Sequence, residues 1–144
     1  MAKSLGLDQQ LCFAIYSASH AFTRFYKPLL APLGLTYPQY LVLLALWETD
    51  GLSLKAIGER LFLDSGTLTP LLKRMAALDL VVRARDAADE RQVVISLTEK
   101  GRGLEAEVAA IPALIGEAAR CSAQELNALR QQLAQLRVRL DAAA

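Results

Sequence analysis

Cys12 and Cys121 are the only two thiols in a chain of 144 residues, and more than a hundred positions separate them. Cys12 lies in Gln10-Leu11-Cys12-Phe13-Ala14-Ile15-Tyr16, an apolar stretch with helical spacing. A thiolate attacks peroxides and disulfides, and a free cysteine titrates at ~8.5. The basic residues nearest Cys12 in sequence are Lys3 and Arg24, so thiolate support has to come from a helix N-terminus or from hydrogen-bond donors such as phenols. The surrounding Leu11, Phe13, Ile15 and Phe22 would admit an apolar hydroperoxide more readily than hydrogen peroxide. The opposing reading is that both cysteines are small buried hydrophobes.

Other chemistries find little support. His20 is the chain's only histidine, eight positions after Cys12, with no further ligand at metal spacing. No Ser, His and Asp set suggests a hydrolase, and no glycine-rich loop suggests a phosphate cradle. Trp47 and the other aromatics fall at core spacing, and no cofactor is expected.

The length fits one domain of ordinary size. Apolar residues make up 53%, enough for a core and a further buried surface. The formal net charge is +1, from 16 basic and 15 acidic side chains. That balance gives no global attraction to nucleic acid, so any such binding must come from a local patch. Met1 to Leu7 is too short for a signal peptide, and the apolar run from Tyr40 to Trp47 is well under the ~20 residues that cross a bilayer. A cytoplasmic location is expected. There, two distant cysteines stay reduced, and a disulfide between them would be transient or regulatory.

The elements that must position Cys12 can be traced along the chain. Apolar residues at 7, 11, 15, 18, 22, 25 and 29 mark one face of a long helix over 7–29, closed by Pro28, Pro32 and Gly34. Thr36-Tyr37-Pro38-Gln39 is a capping-box start for a buried helix running to about Thr49, stopped by Asp50-Gly51. Ser53 caps a short helix over 54–61. A second short helix runs from Ser65 to about Leu78, and the pair makes a helix-turn-helix. The β-branched runs 80–85 and 92–97 flank the charged stretch Asp86 to Arg91, which predicts a hairpin, or wing. Helical spacing returns from Thr98 to about Ala119 with a kink at Pro112. Ser122-Ala123-Gln124-Glu125 then opens a last helix with leucines at 126, 129, 133, 136 and 140, a narrow seam suited to a partner helix. The fold class is mainly α with a small β-hairpin wing: a winged helix-turn-helix with N- and C-terminal dimerisation helices. Residues 1–144 form a single domain, with 35–101 the DNA-reading region and 7–34 and 102–144 the interface of a homodimer.

Small residues open the second helix of the pair. Ser65, Gly66, Thr67, Thr69 and Pro70 would let its N-terminus approach a duplex, where free N–H groups favour phosphate. Thr67 and Thr69 suit base edges or thymine methyls, and Lys73 and Arg74 suit phosphates. Arg85 and Arg91, with Arg83, suit a minor groove. Asp89 either orients Arg91 through a salt bridge or belongs to a charged tip that protects solubility.

The stretches Leu11-Cys12-Phe13, Tyr26-Lys27-Pro28-Leu29-Leu30, Leu35 to Leu41, Leu63 to Met75, and Asp89-Glu90-Arg91 followed by Val93 to Gly101 together resemble the MarR family of winged-helix regulators. The resemblance is closer still to its organic-hydroperoxide-sensing branch, and it runs from about residue 8 to residue 104. It implies a dimeric repressor that leaves a DNA operator when oxidised. Cys12 is then the peroxide-reactive thiol, and Tyr26 and Tyr37 hydrogen-bond it. The branch divides into one-cysteine and two-cysteine types. Cys121 resembles the resolving cysteine of the second type, which closes a disulfide between subunits.

Fourteen positions separate Cys12 from Tyr26 on one predicted helix, ~21 Å along a straight axis. They cannot touch within one chain, so the phenol at the sulfur must come from a second chain with the N-terminal helices antiparallel. Two other functions remain open: a repressor induced by a small aromatic ligand with incidental cysteines, and a thiol peroxidase, which would turn over.

Overall fold

The computed structural model describes residues 5–144, so Lys3 lies outside the described residues. The chain divides into two compact units, one running to Ala106 and the other covering Glu107–Ala144.

The first unit opens with a 3-10 turn, Leu7–Gln9, and then α1, Leu11–Leu30. The expected helix start at Leu7 is therefore too early. The apolar spacing continues into the turn, but the α-helical backbone does not. Gly34, at φ 72°, turns the chain after a second 3-10 turn, Ala31–Leu33. Helix α2, Tyr37–Glu48, starts on the expected capping box: the Thr36 hydroxyl accepts from Gln39 N–H, and Gln39 Oε1 accepts from Thr36 N–H. Strand β1, Leu52–Ser53, was not anticipated. Helices α3, Leu54–Leu61, and α4, Ser65–Ala77, form the helix-turn-helix. The turn between them passes so close to α3 that a Cβ at Gly58 would lie 2.8 Å from the Leu63 carbonyl.

The wing strands are β2, Val81–Arg85, and β3, Val93–Leu97, and the sheet is antiparallel in the order β1-β3-β2. Arg83 pairs with Ile95, and so does Leu52 from the other side. The core of this unit is apolar: Val42, Leu43 and Leu46 from α2, Ile57 from α3, Leu68, Leu72 and Met75 from α4, and Ile95 from β3 are all essentially inaccessible.

Helix α5, Glu99–Glu107, is locked onto the wing root. The Thr98 hydroxyl lies 2.6 Å from the Asp79 carbonyl and accepts from Gly101 N–H at 3.0 Å. Thr98 N–H donates to the Leu80 carbonyl at 3.1 Å. Asp50 adds a second tie. Its Oδ1 accepts from Leu97 N–H at 2.8 Å, and its Oδ2 pairs with Arg102 at 3.4 Å.

The second unit holds α6, Ile111–Ala119, and α7, Ala123–Ala143. The expected single helix with a kink at Pro112 is instead two helices, α5 and α6. Pro112 sits in the first turn of α6, where its missing N–H costs nothing. Three helices thus follow the wing, where two were expected. The Ser122–Glu125 capping box forms as anticipated. Helix α7 buries no residue completely, and Leu129, Leu133, Val138 and Leu140 of its surface are exposed. Among the described residues no single helix is long and apolar enough to cross a membrane.

A methyl at Gly101 would stand 2.3 Å from the Leu80 carbonyl, whereas one at Gly103, two residues on, would meet nothing within 4 Å. Gly101→Ala should cost ~1–3 kcal/mol of unfolding free energy, and Gly103→Ala should gain ~0.5–1 kcal/mol from helix propensity. Denaturant melts of the two variants check this, and equal effects would contradict it.

Candidate functional site

Helix α1 is continuous from Leu11 to Leu30, so Cys12 stands in its first turn and Tyr26 near its far end. Their separation remains ~21 Å along the axis. Cys12 is exposed, and the helix N-cap, Gln10, supplies no side-chain cap. The apolar face around it is open as well: Leu11 is 62% exposed, and Ile15 and Phe22 are also accessible. Tyr16 packs against His20 with the rings tilted at 48° and centroids 4.2 Å apart.

At the other end of α1, the structure brings Tyr26 and Tyr37 together, with ring centroids 4.8 Å apart. Tyr40, one turn along α2, completes the cluster at 5.7 Å from Tyr26 and 6.3 Å from Tyr37. Tyr40 is buried and was overlooked in the sequence, where it reads as one more core aromatic. Burial pushes the Tyr26 phenol from its ordinary 10.0 up to about 12, and the adjacent Tyr37 and Tyr40 add to the rise. Burial raises Tyr37 too, and raises Tyr40 with help from Tyr37. All three phenols are therefore neutral O–H donors at physiological pH.

Cys121 belongs to the second unit. It follows Arg120, which closes α6 in the left-handed conformation (φ 54°), and precedes the Ser122 cap of α7. Its thiol lies 3.3 Å from the Ala119 carbonyl and is half-buried.

The exposed face of α4 carries Ser65, Gly66, Thr67, Pro70, Lys73 and Arg74, with Thr69 half-buried beside them. Leu68, Leu71, Leu72 and Met75 occupy the opposite face. Pro70 lies within the helix without ending it and leaves the Gly66 carbonyl without its usual N–H donor. The helix N-terminus is less open than expected. Asp64 is the N-cap, and its Oδ1 accepts from Thr67 N–H at 2.7 Å. That bond, with further hydrogen bonds from the Thr67 side chain and Gly66 N–H, holds the Asp64 carboxyl below its usual range. A carboxylate thus occupies the place that the sequence reading assigns to phosphate.

At the wing tip the Asp89–Arg91 pair forms. Asp89 Oδ1 accepts from Arg91 N–H at 3.1 Å and from Arg91 Nε at 3.3 Å, while the rest of the Arg91 side chain projects into solvent. Arg85 Nη1 donates to the Glu90 carbonyl at 2.8 Å, and Asp86 Oδ1 accepts from Ala88 N–H. Arg83 lies lower on β2, and its Nε is buried without a hydrogen-bond partner.

A winged helix-turn-helix with a charged wing tip and a small-residue helix face defines the class of DNA-binding transcriptional regulators. The family model described as transcriptional regulator SarA/Rot matches residues 24–108. The HTH-type transcriptional regulator TtmR of Methylorubrum extorquens (strain PA1) is 59% identical over 138 residues, covering 96% of this chain and 71% of that one. The organic hydroperoxide resistance transcriptional regulator of Bacillus subtilis (strain 168) is 50% identical over 127 residues, covering 88% and 86%. AbfR of Staphylococcus epidermidis matches with a TM-score of 0.79 at 38% identity, covering 98% of this chain and 97% of that one. AbfR has also been solved reduced and bound to DNA, overoxidised and bound to DNA, and with a disulfide formed. The chain belongs to the SarA/Rot-type, MarR-like family of winged-helix transcriptional regulators.

The tyrosine cluster carries a pH signature. An unfolded phenol ionises near 10, whereas folded Tyr26 holds its proton to about 12. The folded state therefore binds the extra proton, and its stabilising effect is complete below pH 10 and lost as pH rises toward 12. Denaturant melts at pH 9 and pH 11 should show a fall that is smaller in Tyr26→Phe. An identical fall in both proteins would contradict the assignment.

Proposed function

We propose that the chain is a cytoplasmic, redox-sensing repressor that binds a pseudo-palindromic operator as a homodimer when reduced and releases it once organic hydroperoxide oxidises Cys12. The observation that carries this reading is the separation along α1. Tyr26 and Tyr37 form a phenol pair that the length of α1 keeps from Cys12 of their own chain, and Cys12 sits exposed at the opposite end of that helix among exposed apolar side chains. Antiparallel pairing of two α1 helices would cover those side chains and deliver Cys12 of one chain to Tyr26 and Tyr37 of the other. Residues 7–34 and 102–144 then supply the dimer interface, and the leucine row of α7 adds its exposed seam. On this reading residues 1–144 act as one dimer-forming regulator, with 35–101 its DNA reader.

The chemistry balances in two steps. The Cys12 thiolate attacks one peroxide oxygen, the O–O bond breaks, and with one proton the products are a sulfenic acid and an alcohol. The sulfur gives up the electron pair that the peroxide gains. The Cys121 thiol of the partner chain then displaces hydroxide from the sulfenic sulfur, forming a disulfide and releasing water. Cys121 sits at a helix-to-helix corner, where backbone can shift. Overoxidised AbfR is found on DNA, which supports disulfide closure rather than sulfur oxidation alone as the releasing step. The hydroperoxide resistance regulator of Bacillus subtilis supports the class of oxidant. Induction by an aromatic ligand gains no comparable support.

The test is operator binding by wild type, Cys12→Ser and Cys121→Ser before and after one equivalent of cumene hydroperoxide, with non-reducing gels alongside. Wild type alone should release DNA, with a dimer-sized band that Cys121→Ser abolishes. Cumene hydroperoxide should outpace hydrogen peroxide by about tenfold or more, because burying two methylenes at ~0.8 kcal/mol each is worth that factor. Release of Cys12→Ser, or equal rates for the two peroxides, would sink the corresponding half.

For the DNA face, Ser65, Gly66 and Pro70 let the start of α4 approach the duplex, Thr67 and Thr69 meet base edges or thymine methyls, Lys73 and Arg74 meet phosphates, and Arg85 and Arg91 enter the minor groove, with Asp89 orienting Arg91. Lys73→Ala should weaken all sequences alike and lower the salt slope of binding by about 1. Asp89→Ala should weaken operator binding although it removes a negative charge. Tighter binding would assign Asp89 to solubility instead.

A further inference from the structure

Helix α2 carries Tyr37, Tyr40, Leu44 and Trp47 at steps of three, four and three, one continuous face along its whole length. The aromatic contacts run along that face. Tyr26 of α1 meets Tyr37 at 4.8 Å and Tyr40 at 5.7 Å, and Tyr40 meets Trp47 at 6.4 Å. At the far end the Trp47 indole N–H donates to the Gly101 carbonyl at 2.9 Å, across 54 positions of sequence. Gly101 is pressed against the Leu80 carbonyl, the residue from which β2 and the wing depart. An unbroken series of contacts therefore joins the phenol pair to the wing root. Tyr40 is buried at its centre, so its ring cannot be displaced without moving a neighbour.

We propose that Tyr40 and Trp47 are positioning residues that transmit a displacement of the Tyr26–Tyr37 pair to the root of the DNA-reading wing. The inference rests on the reading of Tyr26 and Tyr37 as the phenols that meet Cys12, but the coupling itself needs no oxidant. Loss of the thiol–phenol bonds frees the Tyr26 ring. Tyr40 follows, because packed rings have discrete arrangements rather than continuous slack. Trp47 converts that shift into movement of the Gly101 carbonyl, because its hydrogen bond is directional and its ring meets Tyr40 edge-on. The Leu80–Gly101 contact leaves no free space, so the wing strand takes up the motion.

The test is a double-mutant cycle on operator affinity in the reduced full-length protein, using Tyr26→Leu, Trp47→Phe and both together. Phe keeps an aromatic ring at 47 and removes the indole N–H. Independent residues would give losses that multiply. Coupling predicts a double variant whose loss is about fivefold or more smaller than that product, at the low end of measured couplings. Trp47 is the chain's only tryptophan, so Tyr26→Leu should also shift its emission. Multiplying losses overturn the proposal. Where Trp47→Phe fails to fold, unmoved Trp47 emission in Tyr26→Leu overturns it instead. A fivefold shortfall in a protein that keeps its operator through hydroperoxide treatment upholds the coupling and overturns only the hydroperoxide reading.

Discussion

The Leu80 carbonyl accepts the Thr98 backbone N–H at 3.1 Å and lies within 2.3 Å of where a Gly101 methyl would stand. Three elements meet there: the start of β2, the end of β3 and the first turn of α5. Because Gly101 has no side chain, α5 can approach the strand closely enough for Thr98 to hold both. The same close approach presents the Gly101 carbonyl to Trp47 of α2. The angle of the wing is thus set by backbone contacts with little room for adjustment. A wing held this way moves as a piece with the helices at its root.

Four aspartates of the winged helix-turn-helix organise backbone. Asp50 receives Gly51 and Leu97 N–H groups, Asp64 receives Thr67, Asp86 receives Ala88, and Asp89 receives Arg91. Each carboxylate spends lone pairs on local N–H groups and shapes the loop that carries its basic neighbours. The Asp64 cap comes at the expense of a phosphate site on the α4 terminus. In the proposed DNA complex, that trade would place sequence reading on the side chains of the helix face.

Helix starts were legible because caps are local. Thr36 with Gln39, Ser53, and Ser122 with Glu125 announce themselves within four residues, and all three form. The two-residue strand Leu52–Ser53 has no period to detect, since it exists only through its pairing with Ile95 and Val94. Pro112 was visible, but a proline that kinks one helix and a proline that starts another look alike when no glycine marks the break at Val108 to Ala110. At Leu7 the apolar spacing outran the helix. In the site, Tyr26 and Tyr37 came from family resemblance rather than from spacing. The links through Tyr40, Trp47 and Gly101 were hidden because aromatic residues on a buried helix resemble ordinary core, and the one polar bond among them joins residues far apart in sequence.

A helix rises about 1.5 Å per residue whatever its sequence. In the proposed dimer, placing the thiol in the first turn of α1 and a phenol fourteen positions later would make an isolated chain an incomplete sensor. Folding one subunit brings Tyr26 and Tyr37 together and leaves Cys12 exposed, and a second subunit would supply the missing partner. Sensing and assembly would then be one property. A change in bonding at sulfur would act directly on the packing of two α1 helices, the contact that would set the spacing of two α4 helices. No separate signal path from sensor to interface is required. What remains to be carried is the step from the phenol pair to the wing, and the aromatic face of α2 spans that distance.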